Sequence, residues 1–97
     1  MITEITKAQL LTWRLGVLKN ENRATPAQIS MAKRNNIEIA MNIARDARQI
    51  LGGMGITGEF SVMRHMMNLE SVMTYEGTHE IHLLITGMDI TGLEGFK

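Results

Sequence analysis

No cysteine occurs among the 97 residues, which excludes disulfides, thiolate nucleophiles and thiolate metal sites together. A cysteine-free chain is compatible with a reducing compartment such as a bacterial cytoplasm or a mitochondrial matrix. Net charge is missing too. Ten Lys plus Arg balance ten Asp plus Glu, so no field draws the chain to nucleic acid or to an anionic lipid surface. Apolar runs extend over only a few residues, and nothing predicts a membrane span. The opening MITEITKAQL carries Glu4 and no continuous apolar stretch, so it does not read as a secretory signal.

The length predicts one small domain, residues 1–97. A chain of this size buries only roughly 60–65% of the surface it exposes when unfolded, so neighbouring domains or subunits weigh heavily in its stability. Nine methionines are many for such a chain. Their flexible thioethers suit irregular cores and surfaces that close over something else.

The pattern is helical throughout, and no window alternates as a strand does. Ile5, Leu11, Leu15 and Leu18 predict a first helix over about Thr3 to Asn20, with Trp13 on its flank. NENRAT, from Asn20 to Thr25, reads as a polar loop. The second helix has the best-marked start: Thr25 as N-cap, Pro26 in the first turn, and Gln28 completing a capping box. An apolar stripe from Ile29 to Leu51 follows, with Ala40, Ala44 and Ala47 allowing close approach of a neighbour, until Gly52 and Gly53 end it. Such a helix of about 26 residues is nearly 40 Å long, more than a compact globule of this size can cover alone. A third helix is expected over roughly Glu59 to Leu69, and TYEGT breaks the pattern after it. Thr78 then caps a last helix from His79 to about Ile90, ended by Thr91 and Gly92. The expected fold is an all-α antiparallel bundle of three long helices and a short C-terminal one.

Three clusters carry possible chemistry. Gly53 to Gly58 match G-x-G-x-x-G, but the dinucleotide fingerprint requires a preceding strand within a βαβ unit, and here a long helix precedes it. The run reads as a helix C-cap and turn, whose free amides remain able to receive a phosphate. His79 and His82 stand three apart instead of the four of H-E-x-x-H, and no third ligand is evident. Glu76 lies between Tyr75 and Gly77, just before a helix N-terminus. A carboxylate there serves either as dipole compensation on the surface or as a general base on a turn that a ligand can approach closely. Apolar cover would favour its protonated form and the helix terminus its charged form; the residues alone do not decide.

Taken in order, KRNN (Lys33 to Asn36), ARDARQILGGMGI (Ala44 to Ile56), MRHMMNLESV (Met63 to Val72) and TYEGTHEIH (Thr74 to His82) resemble the C-terminal helical domain of acyl-CoA dehydrogenases. RHMMNLE, YEGTHEIH and the closing ITGLEGF are similar to the glutaryl-CoA dehydrogenase branch. The resemblance implies that Glu76 is the base removing the α-proton of an acyl-CoA thioester while a hydride passes to FAD. An electron-transfer flavoprotein then reoxidises the flavin. It implies that the amide of Glu76 binds the thioester oxygen and that Gly77 lies beside the thioester. It further implies that Thr78, Phe96 and the stretch Gln49, Ile50, Leu51, Gly52 and Gly53 meet FAD, the last stretch on a neighbouring subunit of a homo-oligomer. Met54 stands where relatives often carry a polar residue. The resemblance opens inside what would be the second helix of that domain. These residues alone are therefore expected not to enclose a flavin, and the isolated chain is expected to be inactive. A non-catalytic, self-associating helical module is the alternative.

Overall fold

The computed structural model describes residues 1–96, and among them every regular element is helical. The first helix, α1 (Ile2–Asn20), has no side-chain cap at Met1 and buries no residue fully. It ends in a Schellman arrangement: Asn22 turns left-handed at φ 56°, its amide donates to the Lys19 carbonyl at 3.1 Å, and the Arg23 amide donates to the Leu18 carbonyl at 2.8 Å. Asn is the non-glycine residue best suited to that conformation.

Helix α2 (Pro26–Ile50) begins as the sequence predicts. The Gln28 amide donates to Thr25 Oγ1 at 3.2 Å and the Thr25 amide to Gln28 Oε1 at 3.0 Å, completing the capping box. At its far end Leu51 is the cap, and Gly52 at φ 60° takes the left-handed place that follows. The cap and turn expected after α2 take the form of a 3₁₀ turn, Gly52–Ile56. It lies so close to α2 that a Cβ on Gly55 would stand 2.3 Å from the Arg48 carbonyl oxygen. Helix α3 (Val62–Thr74) starts and ends later than the expected Glu59 to Leu69. Ser61 caps it with no side-chain bond, while Thr74 Oγ1 donates to the Glu70 carbonyl and extends the final turn. Helix α4 (His79–Thr91) has Thr78 accepting from the Ile81 amide at 3.2 Å and ends on left-handed Gly92. It is as long as α3, so the expected "three long and one short" becomes two long and two of 13 residues.

α1, α3 and α4 each pack on α2, and much less on one another. Ile5 shares a groove with Ile43, Asn36 Nδ2 donates to Thr12 Oγ1 at 2.8 Å, and Leu18 lies by Gln28, so α1 runs antiparallel to α2. Helix α4 meets the N-terminal half of α2 through Ser30 and His82. The core is correspondingly thin: among the described residues Ala27, Ala32, Ile37 and Met41 of α2 are the buried apolar ones, and no large side chain is completely enclosed. The molecule measures 47 × 30 × 18 Å with a radius of gyration of 15.8 Å, against roughly 12.5 Å for a compact chain of this length. The long helix forces that shape, because no other element reaches along all of it.

Large apolar side chains consequently stay in solvent, among them Trp13 at 69% exposure and Ile90 at 78%. A groove of about 480 Å³ between α1, α2 and α3 is lined almost wholly by apolar atoms, including Ile5, Ile43, Ala44 and Leu69. No helix among the described residues is long and apolar enough to cross a membrane.

Candidate functional site

Between α3 and α4 the chain makes one tight turn, and its backbone is unusual. Tyr75 is extended at φ −86°, Glu76 is left-handed at φ 56°, Gly77 follows at φ 88°, and Thr78 returns to extended backbone. A left-handed glutamate costs roughly 1–2 kcal/mol relative to ordinary backbone and persists only where surroundings enforce it. Here the enforcing groups come from other elements. Lys33 of α2 donates to the carbonyls of Tyr75, Glu76 (3.3 Å) and Gly77 (2.8 Å), and its ammonium stands 5.7 Å from the Tyr75 ring centre. His82 of α4 places Nε2 3.2 Å from the Glu76 carbonyl and Nδ1 2.9 Å from Ser30 Oγ.

A carbonyl only accepts, so Nε2 of His82 carries the proton, and in the neutral ring Nδ1 accepts from the Ser30 hydroxyl. Ser30 is 3% exposed and His82 8%, so both lie out of water. Gly77 is needed for space as well as backbone freedom: a Cβ there would stand 2.9 Å from His82 Nε2. The Glu76 side chain itself is exposed and forms no ion pair among the described residues. Tyr75 beside it is also exposed.

With three successive carbonyls drawn toward Lys33, planar trans peptides direct the amides of Glu76, Gly77 and Thr78 the opposite way. Among the described residues these three amides donate to no protein acceptor. The turn thus offers a carboxylate beside a row of free N–H donors at the N-terminus of α4, a combination suited to removing a proton next to an oxygen that gains negative charge.

The second group of sequence-predicted residues lies elsewhere. Gln49, Ile50, Leu51, Gly52 and Gly53 occupy the far end of α2, sixteen positions beyond Lys33, roughly 24 Å along the helix at ~1.5 Å per residue. Ile50 is 76% exposed, and a Cβ on Gly52 or Gly53 would meet nothing within 4 Å, so this end presents an open surface. Within one chain the two groups do not form a single site. Phe96 is partly exposed beyond α4, where the tail folds back until Gly95 touches Leu84. Both ring nitrogens of His82 are engaged in hydrogen bonds, which leaves that ring no free lone pair for a metal, and no cluster of three or more ligating side chains exists among the described residues. Sequence reasoning assigned no role to Ser30 or Lys33. Their spacing of three, with Ile37 four further on, sets them on the buried face of α2, where a hydroxyl and an ammonium need partners.

The family described as acyl-CoA dehydrogenase, C-terminal domain, matches residues 1–91. The short-chain specific acyl-CoA dehydrogenase of Megasphaera elsdenii is 34% identical over 87 residues, 90% of this chain and 23% of that protein. The crystal structure of glutaryl-CoA dehydrogenase from Mycobacterium smegmatis superposes with a TM-score of 0.93 at 50% identity, over 98% of this chain and 24% of that one. A structure of a glutaryl-CoA dehydrogenase from Mycobacterium smegmatis in complex with FADH2 gives a TM-score of 0.93 at 49% identity, over 98% of this chain and 25% of that one. An electron transferring flavoprotein structure from Acidaminococcus fermentans gives a TM-score of 0.88 at 33% identity, over 94% of this chain and 24% of that one. The chain therefore spans about a quarter of the length of these relatives. Over that span, in sequence and in backbone, it belongs to the acyl-CoA dehydrogenase family, as a C-terminal helical domain.

Proposed function

We propose that this chain is the base-bearing part of an FAD-dependent acyl-CoA dehydrogenase of the glutaryl-CoA type. Glu76 removes the thioester α-proton, and its own amide, beside Gly77, receives the thioester oxygen. The observation that carries the reading is the turn itself: an exposed carboxylate on left-handed backbone, next to outward amides that no acceptor among the described residues uses. A proton leaving a carbon next to a carbonyl shifts charge onto the carbonyl oxygen, and fixed N–H donors stabilise that charge without reorganising.

The residues suit a flavin at two separate places. The bare backbone of Gly52 and Gly53 beside exposed Gln49 and Ile50 and half-buried Leu51 forms an open rim, and Thr78 at the start of α4 and Phe96 in the tail beyond α4 are the other proposed contacts. A flavin held there would supply the acceptor for the hydride that leaves the β-carbon. The two places lie at opposite halves of α2, roughly 24 Å apart along the helix; in this reading each meets a different flavin, and copies of the chain share cofactors as a homo-oligomer. An electron-transfer flavoprotein is the proposed electron acceptor. The glutaryl-CoA assignment is supported by 50% identity to the mycobacterial enzyme, against 34% and 40% to the short-chain enzymes of Megasphaera elsdenii and Sus scrofa.

The test uses the FAD-loaded protein that contains this segment and follows deuterium exchange at the α-carbon of glutaryl-CoA and butyryl-CoA. Glu76→Gln is expected to slow exchange on the order of 10²- to 10⁴-fold. Exchange at the unaltered rate would remove the base assignment. Faster turnover of butyryl-CoA than of glutaryl-CoA would place the chain with short-chain enzymes instead.

Exposed Trp13, Ile90 and the apolar groove between α1, α2 and α3 favour a second reading, a self-associating helical module without catalysis. Analytical ultracentrifugation of the chain tests it, and a stable folded monomer at micromolar concentration counts against it.

A further inference from the structure

Lys33 is placed as surface helix lysines are not. Its ammonium has three protons, and three consecutive backbone carbonyls, those of Tyr75, Glu76 and Gly77, surround it. It forms no ion pair among the described residues, and the Tyr75 ring covers one side. The Glu76 carbonyl is gripped twice, by Lys33 at 3.3 Å and by His82 Nε2 at 3.2 Å. Ser30 fixes the His82 ring from behind at 2.9 Å. A helix more than forty positions away and the first turn of the helix that follows thus converge on one turn.

We propose that Lys33, seconded by the Ser30–His82 pair, is a positioning residue for the reacting turn: it draws the carbonyls of residues 75–77 inward and thereby aims and strengthens the amide of Glu76 toward the substrate oxygen. This rests on the reading of Glu76 as the base. Aiming follows from the planar peptide, since the Tyr75 carbonyl and the Glu76 N–H point in opposite directions from one peptide unit. Strengthening follows from polarisation. A cation on the Tyr75 carbonyl withdraws electron density from that peptide and makes its N–H a better donor, as hydrogen bonds in a chain reinforce one another. The same contact offsets the cost of left-handed backbone at Glu76, which no local feature of the sequence compensates. An uncharged donor at position 33 would aim the amide but polarise it less. A side chain with no donor would do neither.

Two readouts separate this role from ordinary packing. In the isotope-labelled chain, backbone couplings and amide shifts report the left-handed conformation of Glu76 and Gly77. Lys33→Met is expected to abolish that signature and shift the amides of residues 76–78 while leaving α1 unchanged; Lys33→Arg is expected to restore it. In the FAD-loaded protein, Lys33→Met should lower kcat roughly tenfold to hundredfold with little change in KM, and Lys33→Gln should fall between it and the unaltered protein. An unchanged left-handed signature in folded Lys33→Met overturns the proposal. Should that variant fail to fold, His82→Gln and Ser30→Ala probe the second grip, and an unmoved Glu76 amide in both overturns it equally. Glu76→Gln keeps the amide and should keep the signature. A Glu76→Gln variant that still exchanges the α-proton defeats the base reading alone, and a loss of the signature in Lys33→Met would stand regardless.

Discussion

Two glycine-bearing turns interrupt the helices, and they are held in opposite ways. The turn at Gly52–Ile56 is fixed by backbone within a few residues of it: Gly52 reverses the chain, Gly55 presses on the Arg48 carbonyl in the last turn of α2, and Thr57 bonds back to Met54 through both its amide and its hydroxyl. The turn at Tyr75–Gly77 is fixed from outside, by Lys33, His82 and Ser30 on two other elements. A turn closed on itself leaves its outer surface plain and open. A turn gripped from behind has its carbonyls occupied and its amides free, which makes it the better place for chemistry on an oxygen that gains charge.

Glycine-to-alanine substitutions measured by denaturation of the chain sharpen this contrast. The largest loss is expected at Gly55, where a methyl would meet backbone at 2.3 Å and neither partner can move aside cheaply. Overpacking of that kind costs about 3 kcal/mol, and each ~1 kcal/mol lowers Tm by about 4–8 °C in a chain this size. A loss at Gly55 below that at Gly77 would mean that the 3₁₀ turn detaches from α2 easily and is not fixed as described.

Gly77→Ala should cost about 2 kcal/mol, partly for left-handed backbone and partly because the methyl displaces the His82 ring. The two parts separate in a double-mutant cycle with His82→Ala. Removing the ring should relieve the steric part, leaving only the backbone part, so the two substitutions are expected to be strongly non-additive. Additive losses would show that the ring and Gly77 do not meet in solution.

The same contrast explains what could be read beforehand. Thr25, Thr78, Gly52 and Gly92 act within a few residues of themselves, and each does at its helix end what its residue type predicts. The third helix moved to Val62–Thr74 because no side chain at Gly58 to Ser61 caps a start, so nothing local marks one. The 3₁₀ turn depends on how closely Gly55 meets Arg48, a distance no spacing rule contains. Lys33 reaches across 42 to 44 positions and His82 across 52 to Ser30, so the grip on the turn exists only once α2, α3 and α4 have packed. Its motif singles out Glu76 as a candidate. The residues that hold its backbone are not singled out, because lysine, serine and histidine on a helix have many commoner uses.

Ser30→Ala should produce a smaller effect than either glycine change, about 1–2 kcal/mol, since it strands Nδ1 of a buried ring. The N-cap change Thr25→Ala belongs at about 1 kcal/mol, measured by the same denaturation, and reports the start of α2 alone. A Ser30→Ala loss below that of Thr25→Ala would mean that water replaces the hydroxyl and that the second grip is looser than the first.

Gly53→Ala is expected to do least and in the other direction. Its backbone is not left-handed, and a methyl there meets nothing within 4 Å, so the folded state tolerates alanine while the unfolded chain loses freedom. A gain of about 0.4–1 kcal/mol follows. Its neighbour Gly52, left-handed at 60° with equally empty surroundings, should instead lose about 1 kcal/mol on the same change. The pair is informative because stability alone then gives no reason for glycine at 53. Gly53→Ala that gains stability but loses FAD retention in the loaded protein would assign that glycine to the close approach of a cofactor. A variant that gains stability and keeps its flavin would return the end of α2 to a plain turn and confine the proposed chemistry to the Glu76 turn.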